Sequence, residues 1–171
     1  MTYPSKQNPP QAGRSPSATP QAKEITMTSK ANTTEGLNGL RITLDEMESI
    51  CVDRTHTVTS LQQSIACDTF DVVRLDYDID LFVDDEGAIN GSPLNLALTI
   101  IAHALGTPAV LFGNAIALRC DPNTGDSLSL TAEQIVRLTG VIASKPSPEL
   151  IDRLAESLAP LPKIVELLRS L

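Results

Sequence analysis

The feature that most restricts the fold is an uncharged segment, residues 88–118, which contains no Asp, Glu, Lys or Arg. A run of this length is long enough for a membrane-spanning helix. However, three glycines and two prolines interrupt it, and Gly106-Thr107-Pro108 divides it into two shorter pieces. We therefore predict a buried helix followed by a buried strand, with a membrane span as the alternative.

Short segments rich in β-branched residues, many with alternating apolar and polar side chains, predict further strands. They are residues 40–45, 48–53, 69–76 and 77–84. The first two form a tightly connected pair, and the last two form a hairpin or small meander that ends in a turn at Gly87. The strand inside the uncharged segment, residues 108–121, is expected to bend or bulge at Gly113 and Asn114.

Four helix starts are predicted from N-cap patterns, either a Thr with Gln three residues later or a Ser followed by Pro. The pairs are Thr59 with Gln62, Ser92 with Pro93, Thr131 with Gln134, and Ser147 with Pro148. In the last of these helices leucines recur every four residues, which predicts one buried stripe. Pro160 and Pro162 are expected to end that helix, and the final residues form one or two more amphipathic turns.

The predicted organisation has three parts. Residues 1–36 are rich in Pro, Ser, Thr, Gln and Asn and contain few apolar side chains, which predicts a disordered tail. Residues 37–141 form an α+β domain, and residues 147–171 form a helical extension. The predicted fold class is α+β, with a small mixed or antiparallel sheet of about five strands and two to three packed helices.

The charge and composition exclude several functions. The formal net charge of the chain is −8. The first 36 residues carry +2, so the remainder carries −10. This negative charge disfavours general binding to nucleic acids or membrane surfaces. The N-terminus has no apolar signal region, and the three cysteines lack a C-x-x-C pair, so we expect a cytoplasmic protein with reduced thiols and no zinc framework. No cofactor is predicted.

The stretch "DYDIDLFVDDEG", residues 76–87, contains six carboxylates in twelve positions. It does not fit a calcium loop, because Leu81 occupies the place of the required Gly. If the stretch is a strand, alternate carboxylates lie on one face at a spacing of roughly 6.7 Å. That face is either solvated or a recognition surface for a basic protein, and the candidate partner-binding residues are Asp76, Asp78, Asp80, Asp84, Asp85 and Glu86.

Catalytic signals are weak. The sequence has no P-loop, no G-x-G-x-x-G, no G-x-S-x-G and no H-E-x-x-H motif. A nucleophilic pair of Cys51 and His56 would need a tertiary contact that the sequence does not indicate. His103 lies in an apolar helix, where we expect a hydrogen-bonded core histidine. We predict a protein without catalytic or metal-binding residues.

Two segments, "FDVVRLDYDIDLFVDDEGAINGSPLNLAL" and "GTPAVLFGNAIAL", resemble the domain of unknown function 3846 family, which occurs in phages, plasmids and bacteria. The resemblance covers about residues 40–139 and departs from the family at Ser92, where an apolar residue is usual. Asp85, Glu86 and Gly87 match the family's polar turn, and the other matches are Gly91, Pro93, Asn95, Pro108, Gly113 and Asn114. The resemblance implies a small α/β domain often found on mobile elements, with no established activity. The matching Gly, Pro and Asn residues are expected to be structural turn and cap residues.

We therefore expect a small, non-enzymatic accessory protein that binds a basic protein partner through its acidic face. The first alternative is a small-molecule or metal-binding protein, with a pocket near residues 84–87 where free N–H groups at the helix start near Pro93 favour an anion. The second alternative is a DNA mimic that inhibits a DNA-binding enzyme. The sequence leaves the oligomeric state and the role of the C-terminal helices open.

Overall fold

A computed structural model of the protein describes residues 36–170, so the predicted tail lies outside the described residues apart from Gly36. Six strands form one antiparallel sheet. They are β1 (Gly36–Ile42), β2 (Met47–Asp53), β3 (Phe70–Leu75), β4 (Ile79–Asp84), β5 (Ala115–Cys120) and β6 (Ser127–Leu128). The order across the sheet is β2-β1-β5-β4-β3, with β6 paired to the end of β5. Strands β2 and β3 are therefore the outer strands.

Five helices accompany the sheet, and the α+β fold class is as predicted. They are α1 (Thr57–Ile65), α2 (Leu96–Ala104), α3 (Ala132–Ala143), α4 (Pro148–Ser157) and α5 (Pro162–Arg169). Helix α1 packs on one face of the sheet, and α2 and α3 pack on the other. No helix in residues 36–170 combines the length and the apolar character that crossing a membrane requires.

The uncharged segment forms α2 and β5, which are at the centre of the molecule. From Ala115 to Leu118 every residue of β5 is fully buried. Ala115 and Ala117 face the cluster with α2 and α3, whereas Ile116 and Leu118 face the cluster with α1. A strand covered on both faces cannot place a charged side chain in water, which explains the absence of charge. The predicted bend is present at Gly113, but it lies just before this strand and no bulge forms within it.

The N-cap predictions have mixed outcomes. The capping box at Thr131 is present, since its side chain accepts from the Gln134 N–H and the Gln134 side chain accepts from the Thr131 N–H. Ser147 caps α4 as predicted. The predicted start at Thr59 is wrong, because α1 begins two residues earlier, at Thr57, without a side-chain cap.

The predicted start of the buried helix at Ser92 and Pro93 is also wrong. Helix α2 begins at Leu96, and its N-cap is Asn95, whose side chain accepts a hydrogen bond from the Leu98 N–H at 3.1 Å. The residues before it, including Pro93, form an irregular connection.

The C-terminal helices pack against α2. Their buried leucines form a third apolar cluster with residues of α2 and its flanks, and these leucines are Leu150, Leu154, Leu158 and Leu168. The first three are the stripe predicted from the sequence. Helix α4 ends at Ser157, before Pro160 and Pro162 as predicted, and Pro162 occupies the first position of α5. The helical extension therefore covers the side of α2 that faces away from the sheet.

Candidate functional site

The acidic stretch does not form the continuous strand face that its alternation predicted. Asp76 and Asp78 lie in the turn between β3 and β4, where Tyr77 and Asp78 have left-handed backbones with φ of 66° and 57°. Asp80 is on the strand, but only 5% of it is exposed. The prediction that these carboxylates share one solvated face is therefore wrong, because α1 and the neighbouring strands bury the face on which Asp80 lies.

Asp80 forms a paired interaction across the hairpin. Arg74 on β3 lies opposite Asp80 on β4, and its Nε and Nη2 donate to the two carboxylate oxygens at 2.9 and 3.1 Å. Nη2 also lies 3.3 Å from the Cys120 Sγ. The hydrogen bond that Arg74 donates to Asp80 raises the pKa of Arg74, and burial raises the pKa of Cys120. This bidentate pair satisfies the buried carboxylate, so Asp80 serves the fold.

At the other end of β4, the carboxylate of Asp84 orders the acidic loop, by which we mean residues 84–92. Its Oδ1 accepts from the Glu86 N–H at 3.0 Å. Its Oδ2 accepts from the Asn90 Nδ2 at 2.9 Å and from the Ser92 Oγ at 3.4 Å. The Ser92 N–H also donates to the Gly87 carbonyl oxygen at 3.1 Å. One carboxylate therefore holds both halves of the loop.

The tip of the acidic loop exposes an unusual set of side chains. Ile89 is 87% exposed, more than any other large apolar residue between residues 36 and 170. Asp85 and Glu86, four and three positions before it, are also exposed. The sequence analysis included both carboxylates in the candidate set but overlooked Ile89, because one isoleucine in an uncharged run gives no local sign of exposure.

The residues that match the family pattern connect the acidic loop to the core. Asn95 is 1% exposed, and its Nδ2 donates to the Gly113 carbonyl oxygen at 2.8 Å. Gly113 has a φ of 66°, a backbone that glycine adopts without a steric penalty. Asn114 donates through its Nδ2 to the Ile65 carbonyl oxygen at the end of α1, at 3.2 Å.

The other residues that match the family pattern lie in the turns and connections before and after α2. Gly87 is buried, and a Cβ placed on it would lie 3.3 Å from the Cβ of Phe112. Gly91 has a φ of 88°. The Pro93 carbonyl oxygen accepts from the Gly113 N–H at 2.9 Å, and Pro108 lies exposed in the connection from α2 to β5. The contacts of Gly87 and Pro93 and the positive φ of Gly91 are those of turn residues.

The first turn of α2 is fixed in position by contacts of Asn95. This turn is capped by the buried Asn95 side chain, and the Asn95 N–H donates to the Leu111 carbonyl oxygen at 2.9 Å. Since α2 starts at Leu96 and not at Pro93, the N–H groups expected at a helix start near Pro93 are not there. Within the described part of the chain, no three His, Cys, Asp or Glu side chains are grouped so that they could hold a metal ion.

Both histidines have partners. His103 is 1% exposed, and its Nδ1 and Nε2 lie 2.9 Å from the Thr99 carbonyl oxygen and 2.8 Å from the Ser157 Oγ. The prediction of a hydrogen-bonded core histidine is confirmed. His56 is exposed and its Nδ1 lies 3.2 Å from the Asp53 Oδ2. The pKa of Asp53 is lowered, first by the Thr55 N–H and then by His56.

A second surface, which the sequence analysis also missed, is a groove of about 490 Å³ between the end of α2, the last turns of α3 and the start of α4. Arg137, Lys145 and Arg153 line it. We call this the basic groove. Its cations are at least eight residues apart in the sequence, so no basic run indicated the site.

An antiparallel sheet with helices on both faces, an ordered acidic loop and no recognisable catalytic cluster in residues 36–170 defines a small α+β domain. The model of the domain of unknown function (DUF3846) family matches residues 39–143, and the chain belongs to this family, as the resemblance in its sequence indicated. The match extends from β1 to the end of α3, and α4 and α5 lie beyond it. Comparisons with curated proteins and with solved structures found no match.

Proposed function

We propose that this domain is a non-enzymatic protein-interaction module, and that its contact surface is the acidic loop. The main support is the exposure of Ile89. Its side chain is 87% exposed at the tip of a loop that Asp84 orders. Exposing a large apolar side chain has no benefit for folding, whereas a preordered apolar anchor reduces the entropy lost on binding. The acidic loop supports the predicted interaction role, but the proposed contact surface is centred on this loop and not on strand β4.

The charges around Ile89 indicate the kind of partner. Asp85 and Glu86 are exposed beside it, and the nearby Asp84 accepts hydrogen bonds from neutral groups of the loop. A complementary surface is a small apolar pocket with Lys or Arg at its rim. In such an interface Ile89 supplies the buried anchor, while the carboxylates speed association and favour basic partners.

The two alternatives are less well supported by the geometry. A DNA mimic built along β4 needs a row of exposed carboxylates, but Asp80 is buried and paired with Arg74. The exposed carboxylates form two groups at opposite ends of a six-residue strand, roughly 20 Å apart. The anion site predicted at a helix start near Pro93 is less well supported, because α2 starts at Leu96 and the Asn95 side chain accepts from the Leu98 N–H. A cytoplasmic location and an origin in a phage or mobile element stay predictions.

The test compares Ile89→Ser with the matched control Val136→Ser, which removes another exposed apolar side chain, 69% exposed, on the outer face of α3. Tagged wild-type protein and both variants are used to capture partners from a bacterial lysate. Each captured protein is then purified and titrated by calorimetry. We expect a partner that binds the wild type and V136S equally, and binds I89S at least tenfold more weakly.

A second pair of variants tests the charges. Asp85→Asn combined with Glu86→Gln should weaken binding of the same partner and reduce its dependence on salt, because fewer counterions are displaced. Asp126→Asn, an exposed carboxylate in the loop before β6, is the control. If every direct partner binds I89S as tightly as it binds the wild type, the acidic loop is not the contact surface and the proposal is wrong.

A further inference from the structure

The basic groove collects positive charge on an acidic protein. Residues 37–171 carry a formal charge of −10, and residues 36–170 contain nine Lys and Arg. Three of these nine, Arg137, Lys145 and Arg153, line the groove, and no described carboxylate lines it. Like charges gathered in a concave surface repel one another, so their arrangement favours an anionic occupant.

One of the three cations is held in position before any ligand arrives. The Arg137 guanidinium lies 3.7 Å from the centre of the Tyr77 ring, and its Nη2 lies 3.4 Å from the Glu133 Oε1. Stacking on an aromatic face limits the rotation of the guanidinium and leaves its edge free for hydrogen bonds. The entropy of ordering Arg137 is therefore lost on folding and not on binding.

The position of Tyr77 is itself fixed by a costly backbone conformation. Tyr77 has a φ of 66°, which is unfavourable for a residue with a bulky side chain. Gln134, which is 7% exposed, stabilises this turn by donating from its Nε2 to the Tyr77 carbonyl oxygen at 2.8 Å. Strained residues that are held by their surroundings concentrate at binding sites, and here the strain presents the ring to Arg137.

The other walls of the groove are apolar. Leu105 at the end of α2, Val141 on α3 and Leu150 on α4 line it beside the cations. A volume of about 490 Å³ is in the range of sites for small organic ligands. Several carboxylates lie near the groove without lining it. Glu133 contacts Arg137, and Asp76 and Asp78 flank Tyr77 in the sequence. The pKa of Glu149 is lowered by its own backbone N–H, by Ser147 and by Arg153.

We propose that the basic groove binds an organic phosphate, with the phosphate between Arg137, Lys145 and Arg153 and the organic part against the apolar wall. Two guanidinium groups and one ammonium group match the several oxygens of a phosphate better than they match a single carboxylate. This site is separate from the acidic loop and does not depend on its function. A nucleotide and a sugar phosphate share this chemistry, and the experiment distinguishes them.

The test uses the full-length chain and three probes, namely inorganic phosphate, a nucleoside monophosphate and a hexose monophosphate. Binding is measured by calorimetry at low salt, and amide chemical shifts of ¹⁵N-labelled protein locate the site. We expect at least one organic phosphate to bind more tightly than inorganic phosphate. Shifts should concentrate at residues that line the groove, such as Gly140 and Lys145. The relative affinities of the nucleoside monophosphate and the hexose monophosphate show which class of organic phosphate the groove prefers.

The variant for this test is Lys145→Gln combined with Arg153→Gln, since both side chains are exposed and their removal leaves the core intact. Lys163→Gln on α5, an exposed lysine outside the groove, is the matched control. The double variant should lose at least tenfold in affinity, whereas K163Q should bind as the wild type does. The proposal is overturned if no organic phosphate binds at roughly millimolar concentration, or if K163Q loses as much affinity as the double variant.

Discussion

The imidazole Nε2 of His103 lies 2.8 Å from the Ser157 Oγ, so the buried helix α2 and the C-terminal helix α4 share a side-chain hydrogen bond. The other ring nitrogen is 2.9 Å from the Thr99 carbonyl oxygen, an acceptor, so Nδ1 donates and Nε2 accepts from Ser157. Thr99 in turn donates to the Asn95 carbonyl oxygen at 2.9 Å. A row of buried polar groups thus runs along α2, and each group has a partner.

We predict that Ser157→Ala destabilises the protein by about 1–3 kcal/mol, because it leaves a buried imidazole nitrogen without its donor. Chemical denaturation followed by circular dichroism measures the loss. Ser170→Ala is the control, since this hydroxyl is exposed and bonds only to the neighbouring Leu167 carbonyl oxygen. Equal stability of S157A and S170A would show that the hydrogen bond to His103 does not hold α4 in place.

The pair of Arg74 and Asp80 predicts an asymmetric response to charge removal. Arg74→Gln leaves the Asp80 carboxylate buried without its cation, whereas Asp80→Asn leaves a guanidinium whose side chain is 67% exposed and can be hydrated. The unfolding midpoint of R74Q should therefore fall further than that of D80N. Equal midpoints for the two variants, or a lower midpoint for D80N, would contradict the assignment of Asp80 as a buried structural carboxylate.

Asn95 should be among the most sensitive polar positions. Asn95→Ala removes an N-cap, which costs about 1 kcal/mol, and it leaves the Gly113 carbonyl oxygen without its donor, which adds about 1–3 kcal/mol. Thr131→Ala removes the exposed N-cap of α3 and is the control for capping alone. The free energy of unfolding should fall more for N95A than for T131A. Similar losses would mean that the Gly113 contact has no net effect.

Asp121 should contribute to the loss of stability of the folded protein at acidic pH. Its pKa is lowered from the ordinary value of 3.8, first by the hydrogen bond from the Asn123 N–H. A carboxyl with a depressed folded-state pKa stabilises the fold above its unfolded value, and this contribution disappears as the pH falls through the folded value. Asp121→Asn should therefore flatten the decline in stability below about pH 4. A ¹³C titration of the carboxyl that gives a value above 3.8 would contradict this assignment.

The sequence predicted those elements whose signals are local. Thr131 and Gln134 are three residues apart and satisfy each other, so the start of α3 follows from the sequence alone. The start of α2 could not be predicted in this way. Ser92 and Pro93 form the stronger local pattern, but the Gly113 carbonyl oxygen, contributed by a segment eighteen residues further on, bonds to Asn95 and fixes the cap there.

The burial of Asp80 and the two surfaces absent from the sequence analysis have a similar cause. The alternation around Asp80 correctly predicted a strand, but whether its polar side faces water depends on Arg74 and on the position of α1, which are tertiary facts. The exposure of Ile89 depends on how Asp84 folds the acidic loop. Arg137, Lys145 and Arg153 become neighbours only when α2, α3 and α4 pack together.

The strand order has a consequence for how the chain acquires its structure during synthesis. Strands β1 with β2 and β3 with β4 are hairpins of neighbouring segments, but β5 lies between them and is made about thirty residues after β4. Until that strand leaves the ribosome, each hairpin has an open inner edge that can pair with another chain. The pairing of β5 with β1 closes a loop of more than seventy residues, a slow, late step. A nascent chain stalled before Ala115 is thus two unjoined hairpins and a target for chaperones.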